Sequence, residues 1–116
     1  MGDGVDEGVM VPDDVRIWVV AGSFRARPGA EEQLIAVLAN YVVLTRMRPR
    51  CRNVDLVVSA TDGGRLLVVE KWDDADAPRA HLDEDETVEM ARAAVPLLAD
   101  KPDLDLYETV SAHDLA

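Results

Sequence analysis

Residues 65–82, RLLVVEKWDDADAPRAHL, decide the fold of this chain. The segment begins as a strand of apolar and β-branched residues that runs to Trp72. A tight acidic turn follows, and then a short helix that carries His81. The chain has two Trp and two His, and one of each lies here, nine residues apart. Because α/β folds place ligand contacts where a strand ends and a helix begins, the segment predicts a binding or catalytic site.

The residues before this segment predict a strand, a helix and a second strand. Residues 15–25 are β-branched and aromatic, with apolar side chains on both faces of the strand. A helix then runs from the break at Pro28-Gly29 to about Arg46, and five of its residues form a core-facing stripe: Leu34, Val37, Leu38, Tyr41 and Thr45. Residues 51–60 alternate as the second strand, and residues 61–64, TDGG, predict a hairpin turn in which glycine has a positive φ.

The residues after the segment predict a second long helix and a last strand. In residues 84–99, Val88, Ala91, Val95 and Leu98 share one face, and Pro96 kinks the helix or splits off its last turn. Residues 104–110 alternate as a strand. The order βαββαβ predicts an α+β, ferredoxin-like antiparallel sheet with helices on one face. The other face is too apolar for water, so we expect a homodimer with sheet packed on sheet, a dimeric α+β barrel.

Composition narrows the class of protein. The 116 residues suffice for one domain, predicted at residues 15–111 between an arm (1–14) and a tail (112–116). A net charge of −11 argues against nucleic-acid binding, which needs clustered basic residues. No apolar run is long enough for a membrane span, and a signal peptide is not evident. The single Cys51 excludes an internal disulfide, and we expect a cytoplasmic protein.

Taken together, these features resemble the antibiotic biosynthesis monooxygenase (ABM) family of small dimeric α+β-barrel proteins. The matching features are RPG at 27–29, RPRC at 48–51, VVEKW at 68–72, the Trp72-to-His81 spacing, and LDLYETV at 104–110. The resemblance covers about residues 15–111. Where the family usually carries Gly between Pro and Cys, this chain has Arg50, so we expect a differently shaped turn.

The resemblance implies a pocket between the sheet and the helices. Some family members oxidise polycyclic phenols or quinols with O2, without metal or flavin; others degrade haem, isomerise small metabolites or have no known substrate. The haem-degrading branch uses an Asn in the first strand and a His in the second helix. Those places fall near Gly22 and around Ala91, which argues against haem chemistry here.

Five residues are candidates for the site: Trp72, His81, Glu70, Asn40 and Tyr41. Trp72 can stack on a flat aromatic substrate, or simply fill the core. His81 can accept a phenolic proton, or merely cap a helix. Glu70 shares the sheet face of Trp72 and needs a partner there, as a base or as an anchor for the helices. Asn40 and Tyr41 can offer polar groups to the same pocket, although Tyr41 also suits packing.

Other reactive residues give weaker signals. Cys51 is typical of a small buried residue at a strand start, and no Ser-His-Asp order supports covalent catalysis. The acidic run at 83–86 predicts a solvated helix start. No His pair has metal-ligand spacing and no Gly-rich phosphate loop is present, so we expect cofactor-free chemistry without a metal.

Two main hypotheses follow. In the first, the chain is a cofactor-independent monooxygenase: His81 or Glu70 deprotonates a phenolic or hydroquinone-type substrate, whose anion reacts with O2 while Trp72 holds the ring. In the second, it is a non-catalytic dimeric module for ligand binding or assembly. An isomerase that uses the same acid and base without O2 is a third possibility. An open pocket reaching His81 favours an enzyme, and a closed apolar core favours assembly.

Overall fold

The sequence folds as the predicted ferredoxin-like α+β unit. The structure, a computed structural model, describes residues 16–110, so the predicted arm, the tail and His113 lie outside the described residues. Within this range the elements run in the following order: β1 (Trp18–Arg25), α1 (Glu31–Arg46), β2 (Cys51–Val58), β3 (Arg65–Trp72), α2 (Asp76–His81), α3 (Asp85–Ala94), a 3-10 turn (Val95–Leu97) and β4 (Asp103–Glu108). No helix in this range is both long enough and apolar enough to cross a membrane.

The four strands form one antiparallel sheet in the order β2-β3-β1-β4. The register places Val20 of β1 opposite Glu70 of β3 and Trp18 opposite Trp72. Every second residue of β3 is buried beneath the helices, from Leu66 to Trp72. The predicted α1 stripe packs on this face, with Leu34 and Leu38 fully buried. Glu70 therefore points into the space between the sheet and the helices.

Among residues 16–110, no helix packs on the other face of the sheet, which is apolar at its centre. Four side chains there are half-buried: Val19, Ala21, Leu67 and Val69. Val57 of β2 and Tyr107 of β4 extend the patch, each about half exposed. The homodimer through this face stays a prediction.

The apolar face predicted for α3 is not the face that the helix buries. Three of the four residues that share that face are exposed: Val88, Ala91 and Val95. The helix buries Thr87 and Ala94, and Leu98 beyond it is also buried. The predicted effect of Pro96 is confirmed, since α3 ends at Ala94 and a separate 3-10 turn follows.

The β2–β3 hairpin is closed by side chains. Glycine was expected to supply a positive φ, but neither Gly63 nor Gly64 has one, so that prediction is wrong. Ser59 Oγ accepts hydrogen bonds from the backbone N–H groups of Thr61 and Asp62, and Asp62 Oδ1 accepts one from Gly64. Such side-chain turns replace the bonds of a glycine-dependent turn.

A left-handed residue does occur at the start of β2. Arg50 has a φ of 69°, the conformation that glycine adopts without cost. Arg50 therefore adopts a conformation that suits glycine, and the expectation that this turn differs in shape from that of relatives stays a prediction. The Arg50 carbonyl accepts a hydrogen bond from the Asp73 N–H at 2.9 Å, and its guanidinium pairs with Asp74. These contacts fix the loop that leads into α2.

Candidate active site

A cavity of about 370 Å³ lies between the sheet and the helices, at the lower end of the range for small-molecule pockets. The edge strand β4 forms one side, and α2 and α3 form the other. Most of its surface is apolar, and four buried polar side chains reach it: Tyr41, Glu70, His81 and Thr87. The exposed residues Arg79 and Asp105 also line it. This is the pocket that the family resemblance implies.

Glu70 is a buried carboxylate held by two neutral donors. Only 3% of the residue is exposed. Oε1 accepts a hydrogen bond from Trp72 Nε1 at 2.9 Å, and Oε2 accepts one from the Tyr41 hydroxyl at 2.6 Å. Burial raises the pKa of Tyr41, and the charge of Glu70 and the hydrogen bond to it raise the pKa further. Tyr41 therefore stays protonated and continues to donate.

Trp72 lies behind Glu70. It is 1% exposed and is absent from the wall of the cavity. Its indole N–H is committed to Glu70, and its ring centroid lies 5.2 Å from that of His81. The geometry gives Trp72 the role of orienting the carboxylate rather than a face on which a substrate can stack.

The start of α2 places His81 at the cavity. Asp74 Oδ1 accepts a hydrogen bond from the Ala77 N–H at 2.8 Å and so satisfies a backbone donor of the first turn. Pro78 lies in that turn, where its missing N–H costs nothing. His81 ends the helix and is 2% exposed.

Both ring nitrogens of His81 are occupied. Nδ1 lies 2.6 Å from Glu84 Oε1, and Nε2 lies 3.0 Å from Thr45 Oγ1. We assign the ring proton to Nδ1 because it faces a carboxylate, so Nε2 accepts a hydrogen bond from the Thr45 hydroxyl. Neither nitrogen is left to contact a ligand directly.

Glu86 is held by a cation. Arg48 Nη2 donates to Glu86 Oε1 at 2.6 Å, and Arg48 Nε donates to the other oxygen of the same carboxylate. This paired hydrogen bond lowers the pKa of Glu86 to about 2. The prediction of a solvated acidic run is wrong for this residue, whose side chain is only 9% exposed. Arg48 also contacts Glu84, which in turn contacts His81.

A metal ion would meet competition at this cluster. Within residues 16–110, the ligand atoms of His81, Glu84 and Glu86 lie within 4.8 Å of one another. Arg48 already pairs with both carboxylates, so the positive charge that a metal would supply is present. These residues form an ion-pair network that joins Arg48, just after α1, to Glu86 of α3 and, through Glu84, to His81.

Two residues considered from the sequence lie elsewhere. Asn40 is exposed on α1 and lines a separate groove between α1 and α3. The structure therefore brings together Tyr41, Glu70, Trp72 and His81, but not Asn40. Cys51 is half-buried, and burial raises its pKa to about 11, so at neutral pH it is a thiol rather than a nucleophilic thiolate.

Sequence reasoning missed two threonines of the site. Thr45 is fully buried against His81, although its place in the α1 stripe indicated only packing. Thr87 is 8% exposed and lines the cavity, and its hydroxyl has no hydrogen-bond partner among residues 16–110. Nothing in the sequence pattern indicated Thr87, because it is not one of the apolar residues that defined the predicted face of α3.

The family model described as antibiotic biosynthesis monooxygenase matches residues 17–93, about two-thirds of the chain. The chain belongs to this family. A solved structure described as an antibiotic biosynthesis monooxygenase is 21% identical, with a TM-score of 0.75, over 81% of this chain and 99% of that one. No curated protein matches the chain at a significant level.

Two further solved structures share the fold. Rv0793 from Mycobacterium tuberculosis is 24% identical, with a TM-score of 0.78, over 84% of this chain and 99% of that one. PA3566 from Pseudomonas aeruginosa is 21% identical, with a TM-score of 0.76, over 84% of this chain and 98% of that one. At these identities the likeness establishes the fold alone.

The positions associated with haem degradation in this fold carry no ligand here. Gly22 lies on the helix side of β1, where an added Cβ would lie 3.0 Å from Leu104 Cδ1 and 3.2 Å from Phe24 Cε1. Ala91 is exposed on α3 and does not line the cavity. A side chain at position 22 would therefore require the ends of Leu104 and Phe24 to shift by a few tenths of an ångström.

Proposed function

We propose that the chain is a cofactor-independent monooxygenase that oxidises a phenolic or hydroquinone-type aromatic substrate with O2. Membership of the ABM family supports the reaction class. The observation that carries the proposal is an apolar cavity with one buried carboxylate, Glu70, held by two neutral donors. An apolar wall suits an aromatic ring, and the carboxylate can take its acidic proton.

Of the two bases considered from the sequence, the geometry favours Glu70. Its oxygens accept hydrogen bonds from two neutral donors, and each oxygen has a further lone pair that can face a substrate. His81, in contrast, contacts protein groups through both nitrogens. His81 then lines the cavity and contacts Thr45 of α1 through Nε2.

The reaction balances for a substrate with an activated methylene, such as an anthrone. Glu70 removes one proton, and the carbanion combines with O2 to form a peroxide anion, which takes the proton back from Glu70. Glu70 then removes the second proton of the methylene while the O–O bond breaks, and the departing hydroxide takes that proton to become water. In sum, one methylene and one O2 become one ketone carbonyl and one water, so each product receives one oxygen atom.

Two other functions are distinguished by the same test. A cavity lined by Glu70 and His81 favours ligand binding over a module that only assembles. An isomerase is the alternative enzyme, because Tyr41, kept protonated by its raised pKa, can serve as the acid opposite Glu70. That reaction consumes no O2.

We also propose that two copies pair through the helix-free face of the sheet. Proteins of this family are commonly dimeric, and the central patch of Val19, Ala21, Leu67 and Val69 offers the apolar surface that such a pairing would bury. Light scattering on wild type and Val69→Lys tests this, since a charge at the centre should give monomers.

The single cysteine supports our proposal of a cytoplasmic location.

The experiment is oxygen uptake by the purified protein with a panel of naphthohydroquinones and anthrones, with and without a chelator. Glu70→Gln tests the base, and Glu89→Gln is the matched control on an exposed carboxylate of α3. We expect chelator-resistant uptake that is lost in Glu70→Gln and kept in Glu89→Gln. Uptake that survives Glu70→Gln would overturn the mechanism, and substrate isomerisation without uptake would favour the isomerase.

A further inference from the structure

Thr87 has a buried hydroxyl that the protein itself leaves unpaired. The residue is 8% exposed, lines the cavity, and its Oγ1 has no hydrogen-bond partner within residues 16–110. Buried hydroxyls are almost always paired, because an unpaired one has lost its hydration without compensation. An unpaired hydroxyl at a cavity indicates that its partner comes from a ligand.

The position of Thr87 in α3 explains why the protein provides no partner. Within a helix, a threonine hydroxyl usually donates to the carbonyl four residues earlier. For Thr87 that residue is Asp83, which precedes the helix, since α3 begins at Asp85. The Thr87 N–H already bonds to the Glu84 carbonyl, so the backbone is satisfied while the hydroxyl is not.

The other buried polar side chains at the cavity have protein partners. Glu70 binds Tyr41 and Trp72, and His81 binds Thr45 and Glu84. Burial raises the pKa of Tyr41 most, and an interaction with the Thr87 hydroxyl opposes that rise, so the two hydroxyls lie close together although Thr87 Oγ1 has no partner at hydrogen-bond geometry among residues 16–110. Thr87 is thus a buried hydroxyl that can donate to a ligand next to the Glu70–Tyr41 pair.

We propose that Thr87 donates a hydrogen bond to the substrate oxygen on which negative charge develops when Glu70 removes the proton. The inference rests on the proposed function and deepens it, because it selects oxygenated rings over plain hydrocarbons. A cavity of about 370 Å³ suits a fused ring system of two or three rings. The substrate class is therefore a hydroxylated or keto-substituted bicyclic or tricyclic aromatic compound.

Binding under anaerobic conditions tests this without turnover. Equilibrium dialysis with 1-naphthol and with 1-methylnaphthalene, which has a methyl group in place of the hydroxyl, measures the preference for oxygen. The variants are Thr87→Val, which keeps the shape and removes the hydroxyl, and Thr87→Ser, which keeps the hydroxyl. We expect Thr87→Val to weaken 1-naphthol binding about five- to tenfold and to leave 1-methylnaphthalene within about twofold. Thr87→Ser should retain the preference.

The melting temperature of the ligand-free protein gives a second readout. Thr87→Val should melt at or above the wild-type temperature, because it removes an unpaired buried hydroxyl. A lower melting temperature together with an unchanged naphthol preference would mean a structural role and would overturn the inference. Failure of wild type to bind 1-naphthol would also overturn it.

The two proposals can fail separately. Loss of the naphthol preference in Thr87→Val, with no oxygen uptake on any substrate, would support the role of Thr87 and refute the monooxygenase. If the protein takes up oxygen and Thr87→Val leaves the naphthol preference unchanged, the monooxygenase is supported and the role of Thr87 is refuted.

Discussion

The carboxylates of Glu70 and Glu86 are held in opposite ways. Glu70 is 3% exposed and accepts hydrogen bonds from the neutral groups of Tyr41 and Trp72. Glu86 is partly buried, with a side chain that is 9% exposed, and it pairs with the guanidinium of Arg48. One carboxylate thus has neutral hydrogen-bond partners, and the other has a cationic partner.

The difference separates a reactive group from a structural one. A guanidinium stabilises the ionised form so strongly that the pKa of Glu86 falls to about 2, and such a carboxylate is a poor proton acceptor. Glu70 instead has neutral donors, which orient its carboxylate beside the apolar cavity.

The largest expected effect comes from removing each carboxylate in turn. Glu70→Gln should lower kcat for oxygen uptake about 10²- to 10⁴-fold, because it removes the general base but keeps the side-chain shape. Glu86→Gln should leave kcat near that of the wild type. Steady-state kinetics on both variants checks this pair, and equal losses in the two would erase the distinction.

The neutral donors to Glu70 should have the next largest effect. Tyr41→Phe should lower kcat about tenfold, since the loss of one hydrogen bond of about 1.4 kcal/mol leaves the carboxylate less well oriented. In a Glu70→Gln background the same change should have little further effect, because the two residues act as a unit. Full additivity of the two changes in a double-mutant cycle would contradict the role assigned to Tyr41.

Removal of the Glu86 carboxylate should change the free energy of unfolding rather than the rate of oxygen uptake. Glu86→Gln should lower the free energy of unfolding at pH 7 by about 1–2 kcal/mol, a modest loss because Arg48 is partly exposed. Since folding lowers the pKa of Glu86 from 4.5 to about 2, its contribution is present above pH 4.5 and is lost as the pH falls towards 2. Urea titrations between pH 2 and 7 should show a weaker acid dependence in Glu86→Gln than in wild type.

The smallest expected effect concerns the turn that fixes the loop before α2. Arg50 has a φ of 69°, so Arg50→Gly should melt at a higher temperature than Arg50→Ala, by a few degrees. Both variants lose the pairing with Asp74, so the difference between their melting temperatures reports the cost of the left-handed backbone conformation alone. Equal melting temperatures would show that the turn relaxes without cost.

Local patterns predicted the parts of the fold that depend on neighbours in sequence. Alternation and flanking turn residues gave the bounds of β3, Arg65–Trp72, as the structure has them. The α1 stripe was predicted because residues such as Leu34 and Leu38 pack on the sheet through apolar surface. The buried face of α3 was not predicted, because it contains the polar Thr87 and the small Ala94, whereas the more apolar Val88 and Val95 are exposed.

The site was predicted only in part, for the same reason. Glu70 and Trp72 are two residues apart on one strand, so strand alternation placed them on one face. The hydrogen bond from Tyr41 joins residues 29 apart, and the contact of Thr45 with His81 joins residues 36 apart. Neither contact has a local signature, and the unpaired hydroxyl of Thr87 follows from where α3 begins rather than from its sequence.

The most direct test of the central claim is the absorbance of the anthrone anion, recorded after anthrone is mixed with the protein without oxygen. This measurement isolates proton removal from the later steps with O2. We expect the anion to form with wild type and with Glu86→Gln, but not with Glu70→Gln. Anion formation in Glu70→Gln at the wild-type level would show that another group takes the proton, and Glu70 would not be the base.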